Sequence, residues 1–493
     1  MTLREKAFSG FKWTTAGGII TSILDLGKFA ILARLLVPGD FGLMAMIIVV
    51  LGVTMAYADG GTSNAVIHRQ DVTSKQLSSL FWLNLMAGLA LYALIIVLSP
   101  LIASFYNEGR LPELLAWAGL VVCISSLGSM HQVLLRKHLK FDTIAKIEVI
   151  AGVVSFTVAV LFGMAGQGVF ALIWGQIAGT SIATALYLIN GLASWVPEFR
   201  FRIVDLRGYF SFGMYQMSER SLNYLASKMD YMLIGRFLGA EVLGAYMLAY
   251  ELIVSPVKRI NPILNKVAFP VFSIRQDNLS ALRNGYLELT KLLAVLVFPI
   301  LTVAALLAPL FVPVIFGKEW ALSIPLIQIL ALVGLARAFG NPSGSIILAL
   351  GRADLSFIWT VFVAVMNAII MSIAVRFGIF HLAGSYLVLM VIYFILGQEI
   401  LINRLVEMKW SQYLKVFVKP LILSTIVGVF LLFSLNFVVS FSIPDIWSLL
   451  IISLIAFLIY LPGIWFTERP FLIRLHESVR IKKETNSHLS KEE

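Results

Sequence analysis

A small set of ionisable side chains sits where the surrounding residues are Leu, Ile, Val, Ala, Phe and Gly. They are Asp25 and Lys28, then Glu219, Arg220, Lys228 and Asp230, then Glu251, and last Arg337. Charge inside an apolar stretch is costly and is kept where it faces a cavity, a partner or a bound ligand. The cations can neutralise an anionic group entering a low-dielectric cleft, an arginine in bidentate fashion. The carboxylates can bind hydroxyls or carry a coupling proton. Asp25 and Lys28 stand three apart, one turn along the same helix face, so a purely local ion pair is the competing reading. Lys228 and Asp230, two apart, point to different faces. Glu219 and Arg220 lie one to two turns inside the end of their stretch, where the mouth of a cleft and snorkelling to the interface are equally open. Asn341-Pro342, in "FGNPSGS", interrupts another apolar stretch and reads as a hinge or cavity-lining break, with a tolerated kink as the alternative. His68, His131 and His381 have no companions at metal-ligand spacing, and neither a metal site nor a catalytic residue is expected.

The elements that hold these groups follow from composition. Of 493 residues, 59% are hydrophobic and only 13% are charged, with a mean hydropathy of +0.90. Soluble domains are far more polar. Runs of about 18 or more apolar residues recur along the chain, each long enough to cross ~30 Å of hydrocarbon. The fold class is therefore an all-α polytopic membrane protein. Fourteen spans are expected, near residues 13–33, 40–59, 79–105, 112–133, 147–165, 168–190, 209–235, 240–257, 286–314, 322–348, 354–375, 379–402, 414–440 and 446–466. Residues 1–12 lack the short apolar core and cleavage site of a signal peptide, so the first span is expected to be retained. Cys123, the single cysteine, reads as a small buried apolar residue.

Basic residues set the orientation. Nearly all lysines and arginines fall in the tails and even-numbered connections, whereas the odd-numbered ones hold only Arg34, Arg110, Arg236, Lys318 and Arg376. By the positive-inside rule both termini are expected in the cytoplasm. The net charge of +11 then reflects topology and attraction to anionic lipid, and no nucleic-acid partner is implied. The odd-numbered connections are all short, which argues against a membrane glycosyltransferase or polymerase with its chemistry in a large outer loop. Arg34 and Arg236 read as interface anchors. Segment 261–270 reads as an amphipathic linker on the cytoplasmic surface, Glu399 as an interfacial residue, and tail residues 477–493 as disordered.

The sequence repeats itself. "LARLLVPGDFG" around Arg34 is echoed by "IGRFLGAEVLG" around Arg236, and "RQD" occurs at 69–71 and 275–277. "SPLI" at 99–102 matches "APLF" at 308–311, "LPELL" at 111–115 matches "IPLIQ" at 324–328, and "RKHLKF" at 136–141 matches "RADLSF" at 352–357. The order never breaks. Residues 1–207 and 208–409 are thus expected to be two six-helix lobes related by a pseudo-twofold axis along the membrane normal, with two C-terminal helices in 410–467 and a basic cytoplasmic tail, 468–493. Transporters with parallel repeats bind substrate between the halves and alternate access by rocking them.

"RINPILNKVAFPVFSIRQD" (259–277) and "VGLARAFGNPSGSIILALGRADLSF" (333–357), with the opening "MTLREKAFSGFKW" and "LARLLVPGDFG", resemble the multidrug/oligosaccharidyl-lipid/polysaccharide (MOP) flippase superfamily. Within it the chain is similar to the polysaccharide-transporter branch and the Wzx-type colanic acid exporters, up to about residue 470. The resemblance implies a non-enzymatic flippase that moves an undecaprenyl-pyrophosphate-linked oligosaccharide across the bacterial inner membrane for capsule, exopolysaccharide or O-antigen synthesis. No cofactor is implied, beyond coupling to a proton or sodium gradient. The implied partners are the lipid-linked oligosaccharide, the bilayer, and assembly proteins such as a polymerase and a chain-length regulator. Spans one and seven border the central cleft in this superfamily, which would place these charges against substrate, with Lys28, Arg220, Lys228 and Arg337 meeting pyrophosphate. Because the repeat maps Lys28 onto Asp230, these two are expected to pair across the cleft. A lipid II flippase and a drug/cation antiporter of the same superfamily are the alternatives.

Overall fold

A computed structural model describes residues 3–58, 66–67, 72–206, 217, 221–274, 278–340, 343–440, 447–449, 451–456 and 458–465. Among them there is helix and no strand. This is what lipid demands of a spanning chain, since a helix satisfies its backbone hydrogen bonds within itself. The main helices are α1 (Leu3–Leu35), α2 (Pro38–Ala58), α3 (Ser74–Tyr106), α4 (Leu111–Lys137), α5 (Phe141–Met164), α6 (Val169–Leu192), α7 (Met229–Ile274), α8 (Leu279–Phe311), α9 (Ser323–Gly340), α10 (Ser343–Ala349), α11 (Ala353–Ala374), α12 (Ile379–Gly397) and α13 (Trp410–Ser440). Among the described residues thirteen stretches are long and apolar enough to cross a membrane, the last being Trp447–Trp465. One of them, Met229–Val257, joins the end of the expected seventh span to the eighth. The join is broken at Gly239, where φ is 86° and ψ 178°. An L-residue rarely adopts that conformation, so a single glycine does the work of a loop. Counting the break brings the thirteen into line with the fourteen expected.

Contacts divide the chain into two compact units. The first comprises residues 1–247, 315–320 and 367–379; the second comprises 248–314, 321–366 and 380–493. In the first unit α5 packs along α6 and α1, α4 lies against α3 and α6, and α2 touches α3, α4 and α6. At one end Phe41 sits edge-on to Phe29 (4.9 Å) and to Trp320 (5.1 Å), and Trp320 donates its indole N–H to the Ala33 carbonyl at 2.8 Å. Small residues let the helices approach: Gly175 and Gly179 of α6 meet Ala159 and Ser155 of α5, as expected where packing rather than water expulsion drives association.

The second unit is centred on α8, which packs on α9 and α13. Its buried core includes Leu282, Tyr286, Phe298, Ile346, Leu401, Tyr413 and Phe417. A further cluster of Leu307, Leu423, Val427, Leu431, Ile452 and Ala456 joins α8 and α13 to the last span, where Tyr460 donates to the Val295 carbonyl at 2.6 Å. A polar chain runs from Tyr286 to Gln398 (2.9 Å), Gln398 to Asn403 (3.0 Å) and Asn403 to Glu399 (2.9 Å), and Trp410 closes it on Glu399 (2.8 Å). It spans the wide turn at Gln398–Asn403, where i→i+5 bonding replaces the α pattern. Glu399 is therefore a structural acceptor.

The helix of the eighth span continues through segment 261–270 to Ile274, beyond its membrane-length stretch, which ends at Val257. The first helix starts at Leu3, and its membrane-length stretch, Lys12–Leu35, matches the expected first span. His131 is buried against Phe81 and Trp195. His68 and the tail 468–493 lie outside the described residues.

Candidate functional site

Within the first unit the repeated segments meet each other. A Cβ built on Gly42 would run into the carbonyl of Ala240, and one built on Gly244 would run into the carbonyl of Pro38. The repeat offset is 244 − 42 = 202, and 240 − 38 = 202 as well. The two contacts are thus one contact made twice, with the halves exchanging roles. The arginines repeat the pattern. Arg34 Nε donates to the Ile315 carbonyl at 2.8 Å, and Arg236 donates to the Ser104 carbonyl at 3.3 Å while its guanidinium lies 5.6 Å from the Phe105 ring. In the "SPLI"/"APLF" register the offset is 308 − 99 = 209, so Ser104 corresponds to position 313, two residues from Ile315. Each anchor arginine reaches the end of a helix from the opposite repeat. Next to this crossing Tyr224 lies over Gly52 and donates to the Ile48 carbonyl at 2.8 Å.

The other feature of this unit is a cavity of about 470 Å³ between α1, α2, α4, α5 and α6. Asp25 and Lys28 enter it from α1, Ser125, Ser129 and Gln132 from α4, Glu148 and Ser155 from α5, and Gln176, Thr180, Thr184 and Tyr187 from α6. Gln132, Glu148 and Tyr187 stand near the helix ends joined by the most basic connections. Lys28 Nζ lies 3.4 Å from Asp25 and 3.4 Å from the Ser155 hydroxyl. Asp25 and Lys28 thus form the local pair and also line a cavity. With side chains 52% and 25% exposed, the pair adds little stability.

The remaining candidates fall elsewhere. Asp230 is buried, 5% exposed, and accepts hydrogen bonds from Tyr246 Oη at 3.0 Å and from the Tyr231 amide at 2.9 Å. Lys228 lies over the Tyr231 ring at 3.9 Å, a cation–π contact. The expected Lys28–Asp230 pair does not form, because each side chain is engaged by nearer groups. Glu251 and Arg337 belong to the second unit, where Arg337 donates to Tyr386 Oη at 2.7 Å. Glu219, Arg220, Asn341 and Pro342 lie outside the described residues. Among the described residues no cluster of His, Cys, Asp or Glu could hold a metal ion.

Glu148, Gln132 and Gln176 did not stand out from the sequence. Their signal is a polar stripe at helical spacing: Ser125, Ser129 and Gln132 on α4, and Gln176, Thr180, Thr184 and Tyr187 on α6, each three or four residues apart. A search restricted to charges inside spans passes over such stripes, and Glu148 falls at a span boundary.

The fold is shared with solved transporters. The lipid II flippase MurJ, in an inward closed conformation, superposes with a TM-score of 0.73 at 14% identity, over 93% of this chain and 99% of that one. Sequence relatives lie elsewhere. The teichuronic acid biosynthesis protein TuaB of Bacillus subtilis is 35% identical over 87% of this chain and 89% of its own length. The lipopolysaccharide biosynthesis protein WzxC of Escherichia coli is 30% identical over 84% of each. The family described as polysaccharide biosynthesis protein matches residues 31–325, a segment holding the glycine crossing, the anchor arginines and the cavity lining other than Asp25 and Lys28. On these grounds the chain belongs to the polysaccharide biosynthesis protein family.

Proposed function

We propose that this protein carries a lipid-linked oligosaccharide from the cytoplasmic to the outer leaflet of a bacterial inner membrane, for assembly of a surface polysaccharide, without altering it chemically. The observation that carries this reading is the extent of the sequence relationship: proteins named for teichuronic acid and lipopolysaccharide biosynthesis match along more than four fifths of the chain. The fold supports it, since the thirteen membrane-length helices among the described residues suit a membrane transporter. Transport proceeds by alternating access between repeats 1–207 and 208–409, with 410–467 as added helices and both termini in the cytoplasm. Arg220, Lys228 and Arg337 are assigned to the pyrophosphate, which needs cations in a low-dielectric setting. Ion-gradient coupling and contact with a polymerase and a chain-length regulator belong to the same proposal.

The experiment is reconstitution into vesicles holding a fluorescent undecaprenyl-pyrophosphate oligosaccharide, followed by an impermeant glycosidase. Protein-dependent exposure of the inner pool is expected, and equal exposure in protein-free vesicles rejects the function. Reporter fusions address orientation: those after Arg207 or Lys409 should read cytoplasmic and those after Gly109 or Lys318 extracytoplasmic, and the reverse pattern rejects the topology.

A further inference from the structure

The cavity of the first unit is built to receive hydrogen-bond donors. Two carboxylates, Asp25 and Glu148, face one ammonium, Lys28, so its lining carries net negative charge. Lys28 is already engaged by Asp25 and Ser155. The serine hydroxyls of α4 are spent as donors: Ser125 gives its proton to the Val122 carbonyl at 3.0 Å and Ser129 to the Ser126 carbonyl at 2.9 Å. Both residues line the cavity, and Ser129 Oγ also accepts from Asn84 Nδ2 at 3.5 Å. Gln176 Oε1 is buried in the same wall with no hydrogen-bond partner among the described residues. A buried acceptor without a donor is costly, and a native structure keeps one where something else supplies the donor. Gln132 Nε2, which could have served, is turned to Tyr187 Oη at 3.0 Å.

A pyrophosphate brings only acceptors and negative charge, and such a wall repels it. A sugar ring brings several hydroxyl donors within a few ångströms of each other. At about 470 Å³ the space lies within the ~300–1,000 Å³ usual for small-molecule pockets. We propose that this cavity is a glycan subsite that holds neutral or amino sugars of the lipid-linked oligosaccharide by their hydroxyl and ammonium donors, while the pyrophosphate is bound outside it. Glu148 at the rim and Gln176 in the wall are its specificity-determining acceptors, and sugars bearing carboxylates are disfavoured. The inference rests on the flippase reading and adds to it which part of the substrate this unit selects.

The test is native mass spectrometry of the purified full-length protein with two probes, undecaprenyl pyrophosphate and undecaprenyl pyrophosphate bearing a neutral disaccharide. Glu148→Gln keeps volume at an exposed position, and Gln176→Leu removes the unpartnered acceptor. Each variant is expected to bind the glycosylated lipid about tenfold more weakly, the effect of losing roughly one hydrogen bond to a sugar, while binding the bare lipid as the wild type does. If Gln176→Leu does not fold, Glu148→Gln carries the comparison alone. Equal losses for both lipids place the pyrophosphate in the cavity and overturn the proposal, as do unchanged affinities for both. A wild-type protein that binds the bare lipid and gains nothing from the disaccharide overturns the subsite but leaves the flippase reading standing. A wild type that binds neither lipid rejects both.

Discussion

The paired glycine crossing makes a quantitative prediction. Replace Gly42 by alanine, and separately Gly244. The new methyl on residue 42 would sit 2.5 Å from the carbonyl carbon of Ala240, and that on residue 244 would sit 2.7 Å from the carbonyl carbon of Pro38, whereas ordinary contact begins at 3.4 Å. Backbone is the obstacle in both cases, with the carbonyl oxygen nearer still, so the helices must part by more than 1 Å or the chain must bend. Overpacking of this kind costs ~1–3 kcal/mol, a factor of ~5 to ~150 in the folded population. Because the same crossing opens either way, the two losses should be alike, and Gly42→Ala with Gly244→Ala together should cost less than their sum by ~0.5 kcal/mol or more. Gly39, three residues from Gly42, has nothing within 4 Å of a built Cβ; Gly39→Ala is the control and should be neutral. The assay is denaturant unfolding of the purified protein in detergent. Glycine variants at 42 and 244 as benign as the control, or strongly unequal, or strictly additive, would refute the reasoning.

Other outcomes follow from the same contacts. Asp230→Asn and Tyr246→Phe should each destabilise by ~1–3 kcal/mol by leaving a buried polar group short of its partner, and the double variant should cost little more than the worse single; additive losses in the same unfolding assay argue against the bond. The charge swap of Lys28→Asp with Asp230→Lys should not restore transport lost in the singles, since Asp25 and Tyr246 are the actual partners; recovery in the vesicle assay would show that the two residues meet. Tyr460→Phe should cost ~0.5–1.5 kcal/mol with transport intact, and loss of transport at unchanged abundance would give that hydroxyl a role beyond packing.

Much of the architecture could be read from the chain because hydrocarbon permits so few answers. A run such as 141–164 is helical in lipid or it is not there, whereas the break at Gly239 rests on its φ of 86°, which the sequence does not show, since Gly175 and Gly179 sit inside a continuous helix. The reciprocal anchors were half visible: the repeat marked Arg34 and Arg236 as equivalent, but not that each reaches into the opposite repeat, which depends on how helices distant in sequence cross. The charges misled most. Lys28 and Asp230 are equivalent positions, and equivalence suggested a pair; local geometry gave each a nearer partner, Asp25 one turn away and Tyr246 sixteen residues on. Gln176 has a neutral side chain and leaves no mark in a charge count, and only the packed helices show that it lines the cavity with its carbonyl buried and unpartnered.

The glycine crossing also bears on symmetry. Contacts in which residue i meets j and j′ meets i′, at one constant offset, are the signature of an isologous interface about a twofold axis. A half-length chain carrying this segment once could make both contacts with a second copy of itself, and a bulky substitution at its glycine would be felt twice in the same dimer. The flanks of the two segments differ, Pro38 at the position equivalent to Ala240 and Asp40 at that of Val242, while both positions at the point of closest approach are glycine.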